Sequence, residues 1–375
     1  MTPRRTVVRH APGKLFVAGE YAVVDPGNPA ILVAVDRHLT VTVCAGDSGY
    51  DGAAVVISSD LGPQAVPWRR HEGRLVVCGA DDGGRARGAL GHVVSAIETV
   101  GRLLTERGLS LPTLSVSIGS RLHDNGKKYG LGSSGAVTVA TVDAVASFGG
   151  VELSADERYR LALLATARID PKASGGDLAA STYGGWLAYR APDRAFVLDL
   201  ARRVGVDRTI GAPWPGHTVR RLPPPDGLTL EVGWTGEPAS TASLVSDLHR
   251  RTWRGTASHE KFVETSNGLV GAAITALEAG DRPGLLHQIR AARQELARLD
   301  DEVGLGIFTT RLTQLCDAAE AVGGAAKPSG AGGGDCGIAL LDAEAAHDIS
   351  HVRQRWATAG VLPLPVRPAL EGIEE

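Results

Sequence analysis

Short apolar and alternating runs dominate the first part of the chain, and helical periodicity takes over later. Thr6–His10, Leu15–Ala18, Ala30–Val35, Leu39–Ala45, Ala53–Ser58 and Arg74–Cys78 are rich in β-branched residues, and turn chemistry such as Asp25-Pro26-Gly27-Asn28 separates them. This spacing predicts strands. After the polar loop Asp81-Asp82-Gly83-Gly84, a helical pattern covers Ala89–Arg107 and stops at Gly108. Thr113–Ile118 predicts a further strand. Ser154 opens a helix to about Ile169, with Glu157 at capping-box spacing, and the apolar run ending at Tyr189 reads as a strand. Residues Arg202 to Asp226, which include Pro223-Pro224-Pro225, predict a long surface connection. Beyond it, helical patterns cover Ser240–Trp253, Ser258–Ala279, Arg282–Leu299, Phe308–Val322 and Ala343–Ala359. Strands at Leu228–Trp234, Gly337–Leu341 and Leu362–Val366 would supply a small second sheet. The order of elements predicts a two-lobed α+β protein, with lobes over residues 1–190 and 191–375.

Composition narrows the class. A chain of 375 residues can build two lobes, and its formal net charge of −3, with acids and bases interspersed, argues against a nucleic-acid partner. Neither a leader-like apolar run nor a segment of transmembrane length is present, so a soluble cytoplasmic protein with no membrane partner is expected. Cys44, Cys78, Cys316 and Cys336 lack metal-ligand spacing and read as small hydrophobes in a reducing compartment. His38, His92 and His123 stand singly and read as surface or hydrogen-bonded side chains. No HExxH or GxSxG motif is present.

The chemistry gathers in segments rich in glycine and serine. Lys127-Lys128-Tyr129-Gly130-Leu131-Gly132-Ser133-Ser134-Gly135 runs straight into an apolar helix. Free N–H groups at such a helix start, aided by the helix dipole, favour a polyanion, and the two hydroxyls can cap the helix or reach a metal. The segment is neither a Walker A loop nor a dinucleotide fingerprint. Lys14 stands behind Pro12-Gly13 at the entrance of a strand, either as a snorkelling side chain or as an ammonium for phosphate oxygens. Asp177, in Ser174-Gly175-Gly176-Asp177, can cap a helix, or accept a proton and orient a lysine. In Lys327-Pro328-Ser329-Gly330-Ala331-Gly332-Gly333-Gly334-Asp335, consecutive amides can form an anion-binding nest. Only six lysines occur in this arginine-rich chain, and Lys14, Lys127, Lys128, Lys172 and Lys327 lie in or beside these segments.

In order, Pro12-Gly13-Lys14 with Gly19-Glu20-Tyr21, then Gly130 to Gly135, then Lys327 to Gly337 resemble the three motifs of the GHMP small-molecule kinases. Tyr21 after the glutamate, Lys128-Tyr129 ahead of the second motif, the Gly176–Trp186 continuation, and Gly233-Trp234-Thr235-Gly236 before Ser240 and Ser243 resemble its bacterial branch with a phosphorylated acceptor. The resemblance implies an N-terminal lobe like ribosomal protein S5 domain 2, a C-terminal ferredoxin-like lobe, and an ATP-dependent phosphotransferase that works with Mg²⁺. Phosphomevalonate and ATP are the implied small-molecule partners of a monomer or homodimer. Lys14 and Asp177 match the catalytic positions. Lys128, Gly130, Leu131, Gly132, Ser133, Ser134 and Gly135 match the nucleotide site, and Ser134 can reach the metal. Acceptor contacts are implied for Tyr21, Ser174, Lys327, Ser329, Gly330, Gly332 and Gly333, and Lys127 and Lys172 are further candidates for its negative charges. Mevalonate-type members carry a metal-binding glutamate where this chain has Thr166. Another member of the family, chiefly one acting on mevalonate, and a non-catalytic metabolite-binding relative remain alternatives.

Overall fold

The computed structural model describes residues 5–46, 52–60, 65–78, 83–124, 126–237 and 253–374. Two long antiparallel strands, β1 (Thr6–Ala18) and β2 (Pro29–Ala45), replace the four short ones expected at this end. Pro12-Gly13 does not end β1. It forms an irregularity at which the register moves from Pro12 opposite His38 to Gly13 opposite Val35. The strand therefore continues through Lys14.

Around this pair grows an eight-stranded sheet containing β3 (Val55–Ser59), β4 (Val66–His71), β5 (Arg74–Val77), β6 (Leu114–Ser120), β9 (Trp186–Arg190) and β10 (Thr218–Leu222). Its order is β10-β9-β2-β6-β3-β4-β5, with β1 on β2. The sequence pattern missed β4 because Trp68 is its one buried side chain, flanked by exposed Arg69, Arg70 and His71. The short ribbon β7 (His123–Asp124) and β8 (Lys127–Lys128) leads into the glycine loop. Helices α1 (Gly83–Glu106), α2 (Ser133–Phe148), α3 (Ala155–Ala167) and α4 (Gly176–Tyr183) share one core with the sheet. α2 is apolar around most of its circumference and is buried almost throughout from Gly135, as such a helix must be. The expected capping box is present: Ser154 accepts from Glu157 N–H, and the Glu157 carboxylate accepts from Ser154 N–H.

The long connection expected over Arg202–Asp226 is instead ordered structure. α5 (Arg194–Val204) starts at Asp193, whose carboxylate accepts from Ala195 and Phe196 N–H, and α6 (Val206–Gly211) starts on the Glu106 carboxylate, which accepts from Val206 and Asp207 N–H. Prolines and glycines in this stretch punctuate two short helices and β10 rather than a loop. Because β10 pairs with β9, the first sheet extends past residue 190 to Leu222, and the chain passes to the second sheet through a connection that opens with Pro223-Pro224-Pro225.

The second sheet, β12-β13-β11-β14, is antiparallel and comprises β11 (Leu228–Trp234), β12 (Ala325–Pro328), β13 (Cys336–Asp342) and β14 (Leu362–Leu364). Its companions are α7 (Ala257–Ala279), α8 (Arg282–Val303), α9 (Thr310–Glu320) and α10 (Ala346–Thr358). The helix expected at Ser240–Trp253 lies outside the described residues apart from its last. The tail then crosses back, and Glu374 and Pro368 bridge to His10 and Val35 of the first sheet. No described helix is long and apolar enough to cross a membrane. All four cysteines are free thiols, with Cys316 and Cys336 buried and Cys44 and Cys78 partly exposed.

Candidate active site

The glycine-rich segments meet in a cleft of about 730 Å³, bordered by β1, the turn after it, the 130–135 loop, the end of α3, the start of α4 and Gly330 to Asp335. This volume suits small molecules.

Three glycines set its geometry by being small. A Cβ on Gly132 would lie 2.8 Å from Lys14 Cγ, one on Gly135 would lie 2.7 Å from Asp177 Cγ, and one on Gly130 would lie 2.5 Å from Asp335 Cγ. Each glycine thus lets a charged side chain rest directly on the loop backbone. Lys14 N–H donates to Leu131 O at 2.8 Å and Lys14 Nζ to Gly130 O at 3.4 Å, while the ammonium lies over the Phe16 ring at 5.2 Å. Asp177 occupies the first turn of α4, where its Oδ1 accepts from Leu178 N–H at 3.0 Å. Ser174 is placed from behind. Its carbonyl accepts from Tyr189 OH at 2.6 Å, and Tyr189 OH lies 2.8 Å from Tyr159 OH.

Tyr21 ties the first motif to the third. Its φ of 64° with ψ of −51° is a sparsely populated backbone conformation that costs about 1–3 kcal/mol, and it is held by burial and by its OH donating to Ala331 O at 2.5 Å. Burial pushes its phenol far above the usual range, so it is a neutral donor.

Lys14, Tyr21, Lys128, Gly130, Gly132, Ser133, Ser134, Gly135, Lys172, Ser174, Asp177 and Gly330 all line the cleft. Other expected residues do not. Lys327 is fully buried, paired with Glu20 and donating to Pro328 O at 2.7 Å, so its ammonium is consumed by the protein. The Ser329 hydroxyl accepts from Phe16 N–H at 2.8 Å and donates to Phe16 O at 3.0 Å, pinning β1. Gly332 and Gly333 pack on Ile307, where Gly333 N–H donates to Ile307 O at 2.8 Å. Leu131 is a core side chain, and exposed Lys127 is not part of the lining. Ser240 and Ser243 lie outside the described residues.

Sequence reasoning passed over His92, Asp170 and Asp335, which also line the cleft. The signal for Asp335 was its place at the end of the third glycine run. His92 carried none. It lies on α1, far away in sequence, with its Nδ1 3.3 Å from Thr138 Oγ1, and burial lowers its pKa against the opposing pull of Asp177.

The loop fits a polyanion. Neither Ser133 nor Ser134 hydroxyl has a protein partner among the described residues, and Thr166 Oγ1, buried at the cleft wall, also has none. No cluster of three or more His, Cys, Asp or Glu side chains forms a metal cage among the described residues. A metal here fits as a companion of bound phosphates, since Mg²⁺ commonly uses few protein ligands.

The sequence matches the GHMP kinases N terminal domain over residues 92–185 and the GHMP kinases C terminal region over residues 273–358. The chain belongs to the GHMP kinases. Within that family it is 78% identical over 372 residues to the phosphomevalonate kinase of Streptomyces sp. (strain CL190), a match covering 99% of this chain and 100% of that protein. The Streptococcus pneumoniae phosphomevalonate kinase in complex with phosphomevalonate and AMPPNP is similar in structure, with a TM-score of 0.82 at 26% identity over 97% of this chain and 99% of that one. The mevalonate kinase of Pyrococcus abyssi is 29% identical, over 98% of this chain and 97% of its own.

Proposed function

We propose that this protein transfers the γ-phosphoryl group of ATP to (R)-5-phosphomevalonate, giving ADP and 5-diphosphomevalonate in the mevalonate pathway of isoprenoid biosynthesis. The observation that carries this reading is the seating of Lys14 on Gly132 and of Asp177 on Gly135, in the loop and first turn at the start of α2, inside a cleft of substrate size. The choice of acceptor rests on the 78% identity to a phosphomevalonate kinase.

The acceptor oxygen belongs to a phosphate and is largely ionised at neutral pH, so attack needs little help from a base. It bonds to the γ-phosphorus as the bond to the β,γ-bridging oxygen breaks, and ADP leaves with that electron pair. Backbone N–H groups at the start of α2 hold the nucleotide phosphates. Lys14 supplies positive charge where negative charge gathers on the transferring group. Asp177 is fixed by Leu178 N–H and by Gly135, and its task is to orient rather than to remove a proton. Ser134 with Asp177 would hold Mg²⁺ brought in with the nucleotide, which would offset phosphate charge. Lys128 and Lys172, both exposed at the rim, attract the acceptor's charges.

A coupled ADP-release assay with phosphomevalonate and mevalonate as alternative acceptors tests the proposal. Turnover with phosphomevalonate alone is expected; turnover with mevalonate alone would favour the mevalonate-type reading, and none with either would favour a non-catalytic relative. Asp177→Asn is expected to reduce kcat by more than about tenfold. A loss of only a few-fold would remove Asp177 from the centre of the mechanism.

A further inference from the structure

α3 and the turn after it separate two cavities. Thr166 and Asp170 border the catalytic cleft, Leu164, Ala167 and Arg168 border a second cavity of about 470 Å³, and Pro171 borders both. The second cavity has an apolar floor, to which α5 and α6 contribute Leu198, Ala201 and Val206. Its rim is made by Arg74 from β5, Arg102 from α1, Arg168 from the end of α3 and Arg202 from α5.

Among the described residues, every charged side chain lining this cavity is an arginine, although the chain as a whole has a formal net charge of −3. Arg168 is held in place, with its Nη2 3.5 Å from Glu98 Oε2, while Glu98 Oε1 accepts from Leu75 N–H at 2.8 Å. Arg74, Arg102 and Arg202 are exposed around it. Val76, Ile169 and Val204, each within two residues of a rim arginine in the sequence, are 37%, 45% and 38% exposed. No aromatic ring among the described residues lines the cavity, which disfavours a nucleotide base.

We infer that this cavity binds a small amphiphilic anion, a phosphate or diphosphate ester with a short hydrocarbon body. Guanidinium groups match phosphate oxygens in pairs, and the aliphatic floor removes the hydrocarbon from water.

The test is calorimetric titration of octyl phosphate into the full chain already saturated with AMPPNP, Mg²⁺ and phosphomevalonate. Saturable one-site binding is expected, with octanol and inorganic phosphate each binding at least about tenfold more weakly. The double variant R74Q/R202Q is expected to weaken octyl phosphate by about tenfold, since two exposed charge contacts are lost, while kcat and Tm stay unchanged. Ala201→Glu, which places a carboxylate in the cavity, is expected to weaken it by a separate route. Arg203→Gln, whose native partner is Asp199, is expected to change nothing. Four outcomes would overturn the inference: absence of saturable binding, equal binding in R74Q/R202Q and Ala201→Glu, loss of binding once the catalytic cleft is filled, or sedimentation showing that this face is covered by a second copy of the chain.

Discussion

Lys14 and Lys327 carry the same side chain beside equally glycine-rich segments, yet their surroundings give them different work. Lys14 keeps its ammonium at the cleft wall over Phe16, with one long contact to Gly130 O. Lys327 has no exposure and spends its charge on Glu20. Lys14→Met is therefore expected to lower kcat by about two to three orders of magnitude, with little change in the thermal melt, since one donor to developing charge is removed. A coupled ADP assay beside a melting curve checks both halves. Lys327→Met is expected to show the opposite pattern. It leaves Glu20 buried without its counter-charge and costs about 3–5 kcal/mol in a urea titration, while the acceptor KM of the folded enzyme stays put. Residue identity alone did not separate these fates. Both lysines were visible in the sequence as candidates, but the burial of Lys327 and its pairing to Glu20 depend on segments more than three hundred residues apart coming together.

At the scale of elements, the second motif was legible as an anion-binding helix start because glycine spacing and the apolar run that follows are both local signals. Which charged group each glycine admits was not legible, since Lys14, Asp177 and Asp335 arrive from β1, α4 and the loop before β13. That arrangement makes Gly135 a sharp probe. Gly135→Ala places a methyl group 2.7 Å from the Asp177 carboxyl carbon, within a helix that alanine itself favours. The variant is expected to fold, and to lose about a hundredfold in kcat, because displacing a positioned group by an ångström has that scale of effect. Measured kcat near the parent value would show that the contact between α2 and Asp177 has no bearing on turnover. The stretch from Arg202 to Leu222 was misread for the opposite reason. Its proline and glycine content signals loop locally, and the caps from Asp193 and Glu106 that order α5 and α6 come from outside it.

For the molecule as a whole, the two sheets are joined by a proline linker and also by the C-terminal tail that returns to β1 and β2, so the cleft is framed by both. The α+β class and the order of the elements could be read from periodicity. The boundary between lobes could not, since β9–β10 pairing is a tertiary fact. Three histidines give the fold a pH dependence. Burial lowers the pKa of His38, His92 and His217 below the ordinary value of 6.5. In the unfolded chain these imidazoles take up protons as the pH falls through 6.5, whereas the folded protein resists until lower pH. The unfolded state then binds more protons, so stability is fully present above 6.5 and declines as the pH drops below it. Urea midpoints measured from pH 7.5 down to about 5 are expected to fall, and the slope is expected to flatten in His217→Gln. A midpoint independent of pH across that window would contradict the sign.

The central claim is that glycine loops from three parts of the chain assemble one site for phosphoryl transfer onto a phosphate. Phosphorus NMR of the products formed from ATP and phosphomevalonate tests it most directly. The expected spectrum shows a new pair of mutually coupled diphosphate signals beside those of ADP, absent or greatly slowed with Lys14→Met. Disappearance of ATP without a new coupled pair, or an unchanged phosphomevalonate signal, would contradict it.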